Sequence, residues 1–131
     1  MDNYPVNDSS NEIILEVKAG TVGICESRVY IQIEGSFVKI ITSEEMNNGN
    51  IPPFKIEINK NLISTFVQIR SVLNFSNVEE GETRKKAIET TSLGYTLNGG
   101  PEGEKQFVAQ GLDILVVSDT KVVITKLIKF T

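Results

Sequence analysis

The side chains that could perform nucleophilic or acid-base chemistry are few in this sequence. Its 131 residues include no histidine and one cysteine, Cys25. A Ser–His–Asp or Cys–His arrangement therefore cannot form, and zinc, which binds mainly to Cys and His, has no site. With no histidine or local basic cluster to lower its pKa, Cys25 is predicted to be a small, partly buried apolar residue. Phosphate-binding and dinucleotide-binding glycine motifs are also missing, so no cofactor is predicted.

Carboxylates are the remaining groups with catalytic potential, and they concentrate in two segments. Glu44 and Glu45 form the first group; Glu79, Glu80 and Glu82 form the second. Both fall in predicted loops, whereas a glycosidase holds two carboxylates rigidly across a cleft and raises the pKa of one. An enzyme that uses only carboxylates, Lys, Tyr or Ser is therefore the least favoured functional class.

A calcium site is the one metal site whose oxygen ligands the sequence supplies. Residues 43–50 contain carboxylates, amides and a glycine, but Met46 falls where the EF-hand spacing requires a ligand. No metal site is therefore predicted.

The charge balance speaks against nucleic acid and membranes as partners. The formal net charge is −4, whereas nucleic-acid binding relies on basic side chains that neutralise phosphates. Residues 84–86 and the lysines at 121, 126 and 129 are basic, but no aromatic side chains are interleaved with them. No signal peptide and no apolar run of about 20 residues is found. A cytoplasmic location is favoured, and the compartment is left open.

Short segments that alternate apolar and polar residues recur along the chain, separated by Gly, Pro and Asn. This alternation predicts half-buried strands. The segments are 12–18, 28–34, 37–42, 54–59, 93–97 and 105–109. Residues 62–73 fit both a helical stripe and a strand face, and their β-branched residues favour a strand. Residues 83–91 could form a short strand or one helical turn.

Residues 28–42 give the firmest local prediction, a hairpin with Gly35-Ser36 as a type II′ loop. That loop sets the inner pairs Ile33–Val38, Ile31–Ile40 and Val29–Thr42, and the outer pairs Glu34–Phe37, Gln32–Lys39 and Tyr30–Ile41. Tyr30, Phe37 and Ile41 should then cluster on the outer face as an apolar, partner-binding patch. The alternative is that another strand or the N-terminal segment covers them.

A second hairpin is predicted from strands 112–117 and 122–130, with Asp119-Thr120 as its loop. The expected pairs are Val117–Val122, Leu115–Ile124 and a charge pair, Asp113–Lys126. Both faces are largely apolar, which is typical of central strands that are covered on both sides.

The series of strands predicts an all-β fold, an antiparallel β-sandwich of jelly-roll-like or Greek-key type, with a small barrel as the alternative. The length suits one domain, assigned to residues 12–131. Residues 1–11 are polar and are predicted to be a flexible N-terminal arm.

These observations predict a non-enzymatic module for protein–protein interaction or structural assembly that self-associates, so its partner is a second copy or another protein. The alternative is a β domain that binds a small ligand or carbohydrate through the loops 43–53 and 98–103 at one end. The absence of tryptophan and an aromatic content of 7% count against stacking on a sugar.

Overall fold

The structure, a computed structural model, describes residues 1–131 and is mostly β, as predicted. The strands are β1 (Asn3–Tyr4), β2 (Glu12–Gly20), β3 (Ile24–Ile33), β4 (Ser36–Thr42), β5 (Ile51–Ile58), β6 (Phe66–Asn74), β7 (Ser92–Asn98), β8 (Lys105–Val108), β9 (Ile114–Val116) and β10 (Lys121–Phe130). One α-helix, α1 (Glu82–Glu89), joins β6 to β7. Short 3₁₀ helices lie at Glu45–Asn47, Asn59–Asn61 and Gly111–Asp113. None of the helices has the length and apolar character that crossing a bilayer requires.

The strands form two sheets that are mainly antiparallel. Sheet A has the order β1-β10-β6-β3-β4, and β9 pairs with β10 on the side that β1 also occupies. Sheet B has the order β5-β2-β7-β8. No strand pairing joins the two sheets, so the barrel alternative is wrong. The strand predicted within residues 62–73 is confirmed as β6, whereas Leu62 is a buried residue in the turn that precedes it.

The two sheets share one hydrophobic core of 23 buried residues. Alternation along each strand directs one side chain in two towards this core. Sheet B contributes Ile13, Leu15, Val17, Leu93, Tyr95 and Leu97, and sheet A contributes Val29, Ile69, Leu73, Ile124, Ile128 and Phe130, among others. The period-two pattern of the sequence therefore marks core positions.

The N-terminal segment lies on its own domain, which corrects the prediction of a free arm. Tyr4 is 1% exposed and pairs in parallel with Phe130. Its hydroxyl donates to the carbonyl of Gly103 at 2.6 Å and accepts from the amide of Gly100 at 2.9 Å. The amide of Lys60 donates to the carbonyl of Ser9 at 3.1 Å. The sequence did not indicate this contact, because the segment is mostly polar and the residues that surround Tyr4 lie about 100 positions away.

The hairpin between β3 and β4 forms, but its predicted register is wrong. The loop residues are Glu34 and Gly35, with φ of 50° and 82°, as a type I′ turn requires. Ile33 therefore pairs with Ser36 and Ile31 with Val38, a shift of the loop by one residue. Glutamate rarely adopts positive φ, so the sequence favoured Gly35-Ser36 as the loop.

The hairpin between β9 and β10 has a three-residue loop, Ser118–Thr120, and its predicted register is also wrong by one. Val122 pairs with Val116, and Ile124 pairs with Ile114. The predicted contact between Asp113 and Lys126 nevertheless forms at 3.2 Å. The expectation that both strands are covered on both sides is wrong. β10 buries the side chains that face the core but leaves Lys121 and Lys129 exposed on its other side. β9 lies at the edge of sheet A, and every residue in it is exposed.

Candidate functional site

The predicted patch of Tyr30, Phe37 and Ile41 does not assemble on one face. A β-bulge between β3 and β4 makes Ile41 the partner of Val29, whereas Tyr30 pairs with Lys39. Val29 is fully buried, and Ile41 packs against the core. Tyr30 and Phe37 remain on the opposite, outward face of sheet A. The extra residue of a bulge reverses the direction of the side chains that follow it, and nothing in the sequence signalled this bulge.

A larger apolar surface lies at the opposite side of sheet A, around β9. We call it the edge surface and define it by Val108, Leu112, Ile114, Leu115, Val116 and Val117. Leu112 is fully exposed, and Leu115 and Val116 are 62% and 56% exposed. The sequence signal for this surface was the unbroken apolar run after Asp113, which we assigned to a covered strand.

The backbone of β9 has a free side, since β9 pairs with β10 alone. Edge strands of monomeric proteins usually carry a charge, a proline or a bulge that discourages pairing with another chain. Residues 114–117 contain no charge and no proline. The free side of β9, a strand of three residues, therefore carries no charged side chain or proline that would discourage pairing.

A groove of about 560 Å³ opens beside β9, where the two sheets separate. Ile114 and Ile124 line it from sheet A, and Leu93, Val108 and Ala109 line it from sheet B. The groove joins the apolar side chains of β9 to those of β8, so the edge surface spans both sheets.

A buried cluster of charges lies next to the edge surface. The ammonium of Lys126, whose side chain is 3% exposed, contacts the carboxylates of Asp2 and Asp113, the latter at 3.2 Å. Burial alone would lower the pKa of Lys126, but hydrogen bonds to Asp2 and Asp113, together with their charges, raise it above its usual value. Lys126 therefore stays protonated at neutral pH and holds residue 2 against the segment that precedes β9.

The other buried polar groups lie inside the core. The Ser27 and Ser71 hydroxyls are 2.7 Å apart, and burial raises the pKa of the nearby Cys25 thiol. The hydroxyl of Tyr95 is buried without a hydrogen-bond partner. Burial, together with the charges of Asp113 and Cys25, raises the pKa of Tyr95. These groups are neutral at neutral pH and make no nucleophile.

Replacing Tyr95 with Phe is expected to raise the free energy of unfolding by about 1 kcal/mol, because a buried hydroxyl without a partner costs about 1–3 kcal/mol. Urea denaturation, with midpoint and slope compared between the two proteins, measures the change. A loss of stability would show that the hydroxyl is hydrogen-bonded in solution.

The loops expected to form a ligand site lie at opposite ends of the domain. Asn98 pairs with Ile14 near the start of β2, whereas the side chain of Asn50 binds the amide of Ala19 near its end. The loops 43–53 and 98–103 therefore cannot line one site. The carboxylates of Glu44, Glu45, Glu79, Glu80 and Glu82 are exposed, and no three His, Cys, Asp or Glu side chains come together as metal ligands would.

Comparisons with protein-family models, curated proteins and solved structures gave no match to this chain.

Proposed function

We propose that the chain is a non-enzymatic interaction module that associates with a second copy of itself through the edge surface. The observation that carries the proposal is the exposure of the apolar side chains of β9 beside a free backbone edge. In this proposal the two sheets form an antiparallel β-sandwich of Greek-key or jelly-roll-like type, and β9 is the edge strand through which two copies associate.

The proposed contact is antiparallel pairing of β9 with β9 of the second copy. A two-fold axis through the middle of β9 would place the same surface on both sides of the contact and close the assembly as a dimer. The pairing would satisfy the free backbone groups of both strands and continue sheet A across the two copies.

The size and composition of the edge surface support this reading. The largest apolar patch on a typical monomer is about 300–600 Å² and often functional. The edge surface combines six apolar side chains whose exposed fractions range from 38% to 104%. A standard interface buries about 800 Å² per partner. The rim of the groove, with Lys18 and Asn50, adds the polar border that interfaces usually have.

The buried polar groups support a role without catalysis. Lys126 is kept protonated by two carboxylates and is not a nucleophile, and burial raises the pKa of the Cys25 thiol. Reactive lysines and cysteines have lowered pKa values instead. A lone, buried cysteine is also compatible with the reducing cytoplasm, which we propose as the location.

We expect the wild-type chain to have the mass of a dimer in light scattering on a sizing column, and Leu115→Ser/Val117→Ser to have the mass of a monomer. The two serines remove apolar area from the outward side of β9 and leave the net charge unchanged. Both wild-type side chains are more than half exposed, so the variant should retain its fold.

The matched control is Val22→Ser/Ile63→Ser, which removes two exposed apolar side chains outside the edge surface. The control should keep the wild-type mass. A monomeric wild type at every concentration tested, or equal dissociation of the control, would contradict the proposal.

A further inference from the structure

The outward face of sheet A has a composition that differs from the rest of the molecule. Its members follow from the register, because directly paired residues share a face and side chains alternate along each strand. They are Phe37, Lys39 and Thr42 on β4; Ile24, Glu26, Arg28, Tyr30 and Gln32 on β3; Phe66, Gln68, Arg70, Val72 and Asn74 on β6; and Lys121, Val123, Thr125, Leu127 and Lys129 on β10.

This face is basic, although the chain is acidic. It carries five basic side chains and one acidic side chain, a net charge of +4. The whole chain has 13 basic and 17 acidic residues and a net charge of −4, so the rest of the chain carries −8. Only Arg28 is in an ion pair, with Glu26 at 2.7 Å; Lys39, Arg70, Lys121 and Lys129 have no carboxylate within ion-pair distance.

The cations are not spread evenly over the face. Arg28 and Arg70 are direct cross-strand partners at its centre, an arrangement of like charges that destabilises a sheet. Lys39 lies beside them as the partner of Tyr30, and Lys129 pairs with Phe66. An anionic ligand on this half of the face would relieve the repulsion between the two arginines.

Aromatic and amide side chains are interleaved with these cations. Tyr30, Phe37 and Phe66 are half-buried or exposed, and the ammonium of Lys129 lies 5.9 Å from the centre of the Phe66 ring. Gln32 and Gln68 share the same half of the face. Sheet B lies on the other side of sheet A, so no strand covers this face. At its border, Ser43 and Glu45 line a pocket together with Glu26 and Arg28.

We propose that this half of the sheet A face, centred on Arg28, Arg70, Lys39 and Tyr30, binds single-stranded nucleic acid. Single strands are held without sequence preference by cations that follow the phosphates and aromatic rings that stack on the bases. Glutamine side chains add hydrogen-bonding groups for base edges. The net charge of the whole chain disfavours such a partner. However, that net charge is the sum of a basic face on sheet A and an acidic remainder.

Two observations support nucleic acid as the partner. The first disfavours an acidic protein, and the second indicates that the acidic remainder of the chain repels a bound strand only weakly. The exposed aliphatic side chains that would centre a protein interface, Ile24 and Leu115, lie towards the other end of the face. Charges more than about 8 Å apart are largely screened at physiological salt, and packed sheets are about 10 Å apart. Acidic groups behind sheet A therefore act weakly on a ligand in front of it.

Fluorescence anisotropy with labelled oligothymidine and oligouridine of about 16 nucleotides tests the proposal. We expect binding at about 50 mM salt, with affinity falling on a log–log salt plot with a slope of about −3 for four phosphate contacts. Lys39→Glu/Arg70→Glu should weaken binding at least tenfold. Lys39→Gln/Arg70→Gln should weaken binding by a smaller factor. This second variant keeps the test valid if the two glutamates disturb folding.

The matched control is Lys60→Glu/Lys86→Glu, which makes the same change in net charge at exposed lysines outside this face and outside the edge surface; it should bind as the wild type does. The result should be the same with the Leu115→Ser/Val117→Ser protein, because the inference does not rest on self-association. Absence of binding to both oligonucleotides at low salt would overturn the proposal, as would an equal loss in the control. Binding of polyglutamate but of neither oligonucleotide would instead assign the face to an acidic protein.

Discussion

Replacing Tyr4 with Ala is expected to lower the free energy of unfolding by about 3–5 kcal/mol, the range for truncating a buried aromatic side chain. The ring is 1% exposed and packs edge-to-face on Phe130, with 6.4 Å between the centroids. The hydroxyl bonds to the backbone of Gly100 and Gly103 in the loop after β7. One side chain therefore ties the N-terminal segment to both sheets.

The matched variant for this prediction is Tyr4→Phe, which keeps the ring and removes both hydrogen bonds. Its expected cost is about 1–3 kcal/mol, because two backbone groups lose their partner. Tyr95→Phe is the same chemical change with the opposite expected sign, so the pair separates hydrogen bonding from packing. Urea denaturation measures all three variants, and a cost below 1 kcal/mol for Tyr4→Ala would restore the interpretation of residues 1–11 as a free arm.

Replacing Lys126 with Ala is expected to lower the free energy of unfolding by about 2–3 kcal/mol. This is less than the cost of breaking a fully buried ion pair, because the side chains of Asp2 and Asp113 are partly exposed and are screened by solvent. The substitution leaves the carboxylates of Asp2 and Asp113 next to each other without a cation. The N-terminal residues and the segment before β9 should then loosen together. Urea denaturation at pH 7 checks the change, and hydrogen exchange of both segments shows where the loss is located.

The control is the triple variant Lys126→Met/Asp2→Asn/Asp113→Asn, which removes all three charges. It should recover most of the stability, because an apolar replacement of a buried ion pair is often neutral. A triple variant no more stable than Lys126→Ala would show that the loss comes from packing and not from uncompensated charge.

The cluster also predicts the pH dependence of stability. The folded-state pKa of Lys126 is raised above the ordinary 10.5. Its contribution to stability is therefore complete below about pH 10.5 and is lost as the pH rises through the folded-state pKa. The wild type should lose stability in this alkaline range more steeply than the triple variant.

The sequence predicted the elements well because alternation is a local property. The core side chains of β2, β6 and β7 were identified by their spacing, and the charge pair of Asp113 with Lys126 was predicted by name. The registers of both hairpins were wrong by one residue, since each depends on a loop conformation. Glu34 adopts a positive φ that residue preferences disfavour.

Most of the candidate site could not be predicted, because it depends on neighbours in space. An apolar strand has the same pattern whether a further strand covers it or not, so β9 was expected to be covered. Tyr4 lies in a mostly polar segment of the sequence but packs against Phe130 in the fold. The basic face of sheet A combines residues from β3, β4, β6 and β10 that are scattered through the sequence as single charges.

The place of β10 in sheet A has a consequence for biosynthesis. β10 holds the last strand positions of this chain, yet it pairs with β6 over nine residues and supplies the partners of both β1 and β9. While the chain is still emerging from the ribosome, β6 has an open side and the N-terminal strand has no place to dock. The side of β6 that pairs with β10 therefore stays open in the nascent chain until residues 121–130 have emerged, and open strand edges of this kind favour aggregation.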